Sequence, residues 1–241
     1  MKHAGRTTRC APLSNGENEV SNYTVHEDLT FCFVDGRPIF LDINADRYFS
    51  LSGSLEQTFF AWSVQSCVSE SDIAPLVEGR ILTSEPVHTA RWLGPTERPS
   101  ISAVEMSSSP ERLGLRTILE VSALVFLTQI QLKTLGIKGT LEHALGRQRS
   151  LATPGSSQDR QRLVAVSQAF MLARRYAPLG TRCLLDSLAL ARFLRRRRIQ
   201  VNVVFGVTSA PFSAHCWAQA GEILLTDAIG NVRMYTPIRV L

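Results

Sequence analysis

Between residues 180 and 227 the chain changes its hydrophobic period once, and that change constrains the fold more than any other feature of the sequence. Up to residue 197 the apolar positions recur at helical spacing. Leu184, Leu188 and Ala191 form one row, and Cys183, Ser187, Leu190 and Leu194 form the adjacent row. A stripe this broad predicts a central, buried helix over 182–197, with Gly180 and Thr181 breaking and capping the chain ahead of it. From residue 200 the period falls to two. A β-branched run over 200–207, a second strand over 214–219 and a third over 222–227 follow, with Pro211 in the first turn and Gly221 near the second. A buried helix that feeds a hairpin of strands predicts an α+β fold.

The same stretch carries the chemistry-bearing residues. Cys183 falls in the first turn of the helix, where unpaired N–H groups and the helix dipole favour a thiolate; Arg182 would add to this if it faced the same way. On placement alone, a buried structural cysteine is the competing reading. His215 follows on the second strand and Asp227 on the third, the order of a thiol nucleophile, its base and the carboxylate that orients the base. Strand alternation puts His215, Trp217 and Gln219 on one face and Ala214, Cys216 and Ala218 on the other, so Cys216 reads as core packing. For His215 to oppose Asp227 in a regular hairpin, the turn must leave an odd number of residues unpaired, as Ala220, Gly221 and Glu222 would. Residue 219 then sits against 223 and 215 against 227. A strict two-residue turn puts Asp227 on the wrong face. If the three residues converge, Cys183 attacks a carbonyl, His215 protonates the leaving amine and then activates water, and Asp227 holds the tautomer. The N–H of Cys183 would be one oxyanion donor; the second is open.

Composition narrows the alternatives. Five cysteines with no C-x-x-C make a disulfide framework or a zinc site a poor fit, so no metal is expected, and a reducing cytoplasm suits a free thiolate. The first residues run into Ser, Asn and Glu, with no apolar core of a signal peptide. The most apolar stretch, 118–127, reads as too short and too interrupted to span a bilayer, so no membrane association is expected. The net charge of +5 is concentrated in Arg195, Arg196, Arg197 and Arg198 and in residues 147–162. No aromatic residues interleave with these arginines, so they read as solvated, dipole-complementing charge and not as a nucleic-acid surface.

Upstream, residues 1–20 are polar and read as disordered. Residues 21–90 form a small α+β unit. Phe31, Phe33, Ile39, Leu41 and Ile43 alternate with polar or smaller residues around an Asp35-Gly36 hairpin signal, and a third strand holds Arg47, Tyr48, Phe49, Ser50 and Leu51. Ser54 begins a helix carrying Leu55, Phe59 and Trp62, and a second helix over 72–78 is closed by Gly79. His26, His88 and His143 are isolated and read as surface or edge residues. The prolines and serines of 91–110 read as a linker. Beyond it, in a second domain over 111–241, helices are expected over 113–135, 142–149 and 158–176.

The ordered set Cys183-Leu-Leu-Asp186-Ser187-Leu-Ala-Leu190, Gly206-Val207, Pro211-Phe212-Ser213-Ala214-His215-Cys216-Trp217 and Asp227 closely resembles the lasso-peptide B proteins, transglutaminase-like cysteine peptidases. The N-terminal unit, with Phe40-Leu41-Asp42 and Asp46-Arg47-Tyr48-Phe49-Ser50-Leu51, is similar to a recognition element for the leader of a ribosomally made peptide. The resemblance implies a small winged-helix-like domain fused to a transglutaminase-like or papain-like peptidase domain. It implies hydrolysis of the leader–core bond of a precursor peptide by Cys183, His215 and Asp227. The leader would add as a strand beside Arg47, Tyr48, Phe49, Ser50 and Leu51, with the helix that holds Ile73 and Leu76 closing the groove. A partner cyclase of the asparagine-synthetase-like type would then close the macrolactam. The chain has no G-x-x-x-x-G-K loop, so no cofactor is expected here, and ATP and magnesium belong to the cyclase. The sequence departs from the family at Cys216, Gln219, Asp186 and the Arg198-Ile199 pair. Transfer of the acyl group to an amine, or an inert leader-binding scaffold, are the other functions that this arrangement allows.

Overall fold

The computed structural model describes residues 23–66, 68–85, 97–106, 113–145 and 156–241. The expectations for residues 1–20, His88 and the arginines at 147 and 149 lie outside these. The first unit contains β1 (Thr24–Val25), β2 (Leu29–Val34), β3 (Arg37–Asp42), β4 (Arg47–Ser50), α1 (Ser54–Ser63), α2 (Glu70–Glu78) and β5 (Leu82–Thr83). Strands β2, β3 and β4 form an antiparallel sheet in that order, and β1 pairs with β5. The β2–β3 turn is Asp35-Gly36 with both φ angles positive, which suits a two-residue hairpin.

β3 is buried on both faces, so simple alternation does not describe it. Phe40 is fully buried against Phe31, Phe49 and Phe59, with ring centroids 5.8, 5.0 and 4.8 Å away. Ile39 and Leu41, on the opposite face, join the core of the C-terminal part of the chain. The sheet is thus a middle layer, with α1 and α2 on one side and the second unit on the other. Ile73 and Leu76 are fully buried in the same core as Phe40 and Phe59. This corrects their expected place in a leader groove: both point under the helix, not towards a ligand. Truncating either to alanine would cost about 2–5 kcal/mol of stability, as core deletions do.

The second unit contains β6 (Ile101–Ser102), α3 (Leu115–Leu145), α4 (Ser157–Arg174), α5 (Cys183–Arg195), β7 (Asn202–Ser209), β8 (Phe212–Ala220), β9 (Ile223–Leu224), α6 (Ile229–Val232) and β10 (Thr236–Val240). Its sheet has the order β10-β7-β8-β9-β6. β6 lies within the stretch read as a linker, yet it pairs in parallel with β9 and forms one edge of this sheet. α5 covers the sheet. Its Leu185, Leu188, Ala189 and Phe193 are almost wholly buried with Cys216 and Ala218 of β8 and with Ile39, Leu41 and Ile43 of the first unit.

α3 runs through the gap expected between two helices and is interrupted only at Gly136, whose φ is 68°. The apolar stretch is therefore longer than the sequence suggested. By length and composition alone, Leu115–Ala144 could cross a membrane. Val121 and Val125 of α3 are fully buried, whereas Leu115, Leu119 and Phe126 are exposed. The arginine run is partly spent on this helix. Arg197 and Arg196 bind Glu120 at 2.8 and 3.2 Å, and Arg197 also lies over the Phe193 ring.

Candidate active site

Cys183 is the first residue of α5 and is exposed. The loop ahead of it is held by a buried arginine. Arg174, the last residue of α4, donates through Nε to Asp186 Oδ1 at 2.6 Å, and through its terminal nitrogens to the carbonyls of Leu179 and Gly180 at 2.9 and 3.0 Å. The other oxygen of Asp186 accepts the Arg182 backbone N–H at 3.1 Å. No side chain caps α5 at Arg182, so Asp186 reaches back over the first turn and does that work. A carboxylate at 186 is thus matched by Arg174.

His215 projects from β8 beside Trp217 and Tyr235, at ring-centroid distances of 6.1 and 5.2 Å. Gly206 lies directly across the ladder on β7. A Cβ there would come within 2.7 Å of the Trp217 ring and 2.9 Å of Tyr235 Cβ, so only glycine lets both rings close over the strand. Trp217 Nε1 donates to Gln219 Oε1 at 2.9 Å, and the fully buried Gln219 amide donates in turn to the carbonyls of Glu97 and Gly221. An ionised glutamate at 219 would have no hydrogen to give either carbonyl.

The hairpin register differs from the one that a regular ladder needs. Ala220 pairs with Ile223 and Gln219 with Leu224, so the turn holds only Gly221 and Glu222. Such a turn directs residue 227 to the wrong face if pairing continues. It does not continue, because β9 ends at Leu224. Leu225 still donates to the Ala218 carbonyl, but the Ala218 N–H is taken by the Thr226 hydroxyl at 3.0 Å, and the chain leaves the sheet. Asp227 then reaches His215 from a loop. Its Oδ2 lies 2.6 Å from His215 Nε2, and its Oδ1 accepts the Ala228 N–H at 2.7 Å and the Asn231 amide at 2.8 Å. Its backbone carbonyl accepts the buried Ser102 hydroxyl of β6 at 2.7 Å. Ser102 and Asn231 carry no signal of this role in the sequence apart from the i+4 spacing of Asn231 from Asp227.

With Nε2 occupied, Nδ1 is the nitrogen left for the thiol. Cys183 is held below the ordinary thiol value by its hydrogen bond with His215, against an opposing effect of burial. Hydrogen bonds from the backbone N–H groups of Cys216 and Leu184 help to lower it. His215 is raised above the ordinary imidazole value by the bond to Cys183, with Asp227 adding to the effect and burial opposing it. Both shifts favour a thiolate–imidazolium pair. Cys216 is buried on the opposite face, its thiol pushed well above the ordinary value by desolvation, which suits packing and not attack. Cys183, His215 and Asp227 therefore converge. Ile73 and Leu76 do not join them, and Arg47, Tyr48, Phe49 and Ser50 form the outer strand of the N-terminal sheet, with Leu51 just beyond it.

The shifts have a measurable consequence. Alkylation of Cys183 by iodoacetamide should turn on as the thiolate forms, at a midpoint below the ordinary thiol value of 9.0. In His215→Ala the largest lowering influence is gone and burial remains, so the midpoint should move upward. An unchanged midpoint would mean that His215 does not act on the thiol.

Residues 124–240 match the family model described as the Transglutaminase-like superfamily. No curated protein and no solved structure matches the chain. The structure is thus a three-stranded N-terminal sheet joined to a C-terminal transglutaminase-like domain. That superfamily includes cysteine peptidases, and the domain is consistent with peptidase-like or acyltransferase-like chemistry.

Proposed function

We propose that the protein is a cysteine endopeptidase that binds the leader of a ribosomally made lasso-peptide precursor and hydrolyses the leader–core bond. The observation that carries this reading is the triad: an exposed thiol at the first position of α5, held below its ordinary value chiefly by His215, whose Nε2 meets Asp227 at 2.6 Å. The Cys183 thiolate adds to the scissile carbonyl, and the His215 imidazolium gives its proton to the leaving amine, which frees the core. Water then attacks the acyl-enzyme while His215 takes its proton, and the leader leaves with a free carboxylate. Asp227 keeps the ring in the productive tautomer and stabilises its charged form. The N–H of Cys183, which has no intrahelical acceptor, is placed to hold the oxyanion.

The leader adds as a strand to the outer edge of β4, with which no strand pairs among the described residues. A separate ATP-dependent cyclase then closes the freed amine onto a side-chain carboxylate, and a reducing cytoplasm keeps Cys183 available. Mass analysis of a leader–core precursor incubated with the protein tests the reading. The expected products are a leader ending in a free carboxylate and a core beginning with a free amine. A leader that ends in an amide or isopeptide bond would replace hydrolysis by acyl transfer. Binding of the precursor without turnover would leave an inert scaffold.

A further inference from the structure

The two units meet in a cleft of about 280 Å³ lined by Ile39, Tyr48, Ser50, Ser209 and Phe212, among others. The cleft is small for a whole ligand but is of a size for a side chain. Its two aromatic walls come from different units: the rings of Tyr48 on β4 and Phe212 on β8 lie 5.8 Å apart. Phe212 is 54% exposed at the first position of β8, a large apolar ring only partly covered by the described residues. One end of the cleft is fixed, because the Ser209 hydroxyl binds Asp35 of the β2–β3 turn and ties the β7–β8 hairpin to the N-terminal sheet.

Two further observations say what belongs there. First, no strand among the described residues pairs with the outer edge of β4, and its side chains alternate. Tyr48 and Ser50 pair with Leu41 and Ile39 on the side facing the second unit, whereas Arg47 and Phe49 pair with Asp42 and Phe40 on the helix side. An extended peptide added to that edge must present every second side chain to the Tyr48 side. Second, Phe212 lies three residues before His215 on β8, where strand alternation turns it to the Cys216 face, and Tyr48 of the other wall packs against the core that holds Cys216.

We infer that this cleft is a specificity subsite that takes one large apolar side chain of an extended peptide bound along β4, and so sets how far from that residue Cys183 cuts. The inference rests on the peptidase reading above and gives it a substrate feature: an aliphatic or aromatic residue at a fixed distance from the scissile bond. Because one wall comes from each unit, the subsite exists only when both are docked.

The test uses the full chain and a library of fluorescence-quenched peptides with one position fixed at a time. Wild type is expected to favour a large apolar residue over alanine at one position by about 10-fold or more, as an apolar pocket does. In Phe212→Ala that preference should shrink to about 2-fold, and Phe212→Leu should restore part of it. Anisotropy of the same peptides on Cys183→Ala protein reads the cleft without catalysis. Loss of the preference in Phe212→Ala by either readout supports the subsite. If nothing is cut but the preference appears in binding and depends on Phe212, the peptidase reading fails and the subsite stands. If both proteins cut with the same preference, the subsite is overturned and the peptidase reading stands. If iodoacetamide alkylation of Cys183 slows in step with cleavage in Phe212→Ala, the effect belongs to the nucleophile and the subsite is again overturned. Peptides neither cut nor bound overturn both.

Discussion

Cys183→Ala is expected to lower turnover of a leader–core peptide by roughly 10⁴- to 10⁶-fold, the range seen when a nucleophile is removed from a catalytic triad. Affinity for the leader should stay near that of the wild type, because the β4 edge belongs to a different sheet from the one α5 covers. The residual rate would come from the oxyanion donors and from binding alone. The measurement is single-turnover cleavage followed by mass analysis, with leader affinity taken in parallel on the same variant. Turnover within about tenfold of wild type would remove Cys183 from the reaction. A parallel loss of affinity would mean that the thiol supports the fold and not the chemistry. No second thiol among the described residues is placed to substitute: Cys216 is buried on the far face of β8, and Cys32 is raised by burial to about 12.

Arg174→Ala should be the most damaging substitution for stability around the site. The guanidinium is 4% exposed, and the change strands Asp186, itself 13% exposed, together with the Leu179 and Gly180 carbonyls. Removing one member of a buried pair costs about 3–5 kcal/mol, mostly because the partner's charge is left without compensation. Urea unfolding would show the loss as a lower midpoint at an unchanged slope. The double variant Arg174→Ala, Asp186→Ala should be no worse than the single one, since it leaves no orphaned charge. Purely additive losses would show that the two side chains do not act as a unit. The expected signature also reaches the chemistry: with the 179–182 loop released, Cys183 alkylation should slow even where the protein remains folded.

Much of the site is legible in the sequence because it depends on local order. A cysteine at the start of an apolar helix, followed by a histidine in a strand, needs only helical and strand periodicity to be placed, and Cys216 follows from alternation. Asp227 was harder. An odd-residue turn is required only if pairing continues to residue 227, but the ladder stops at Leu224 and the Thr226 hydroxyl takes over a backbone hydrogen bond. A side-chain substitution for ladder pairing leaves no mark in the hydrophobic pattern. Ser102 was out of reach for a related reason: it lies 125 residues from Asp227, in a strand too short to show any period. Ile73 and Leu76 failed differently. Their spacing correctly marks the inner face of α2, but an inner face can meet a ligand or a core, and here Phe40 and Phe59 already fill it.

The parallel pairing of β6 with β9 decides where this polypeptide can be divided. A fragment that begins at residue 110, as the proline- and serine-rich stretch invites, would leave behind the strand whose Ser102 hydroxyl anchors the Asp227 carbonyl. It would also lose the Glu97 carbonyl that accepts from Gln219. The natural seam runs ahead of residue 97. Even there, two separated pieces would each carry half of a shared apolar surface, with Ile39 and Leu41 on one and the α5 core on the other. Pieces cut at that seam and mixed should find each other again, whereas a fragment that begins at residue 110 and stands alone should hold the Asp227 carboxylate poorly against His215.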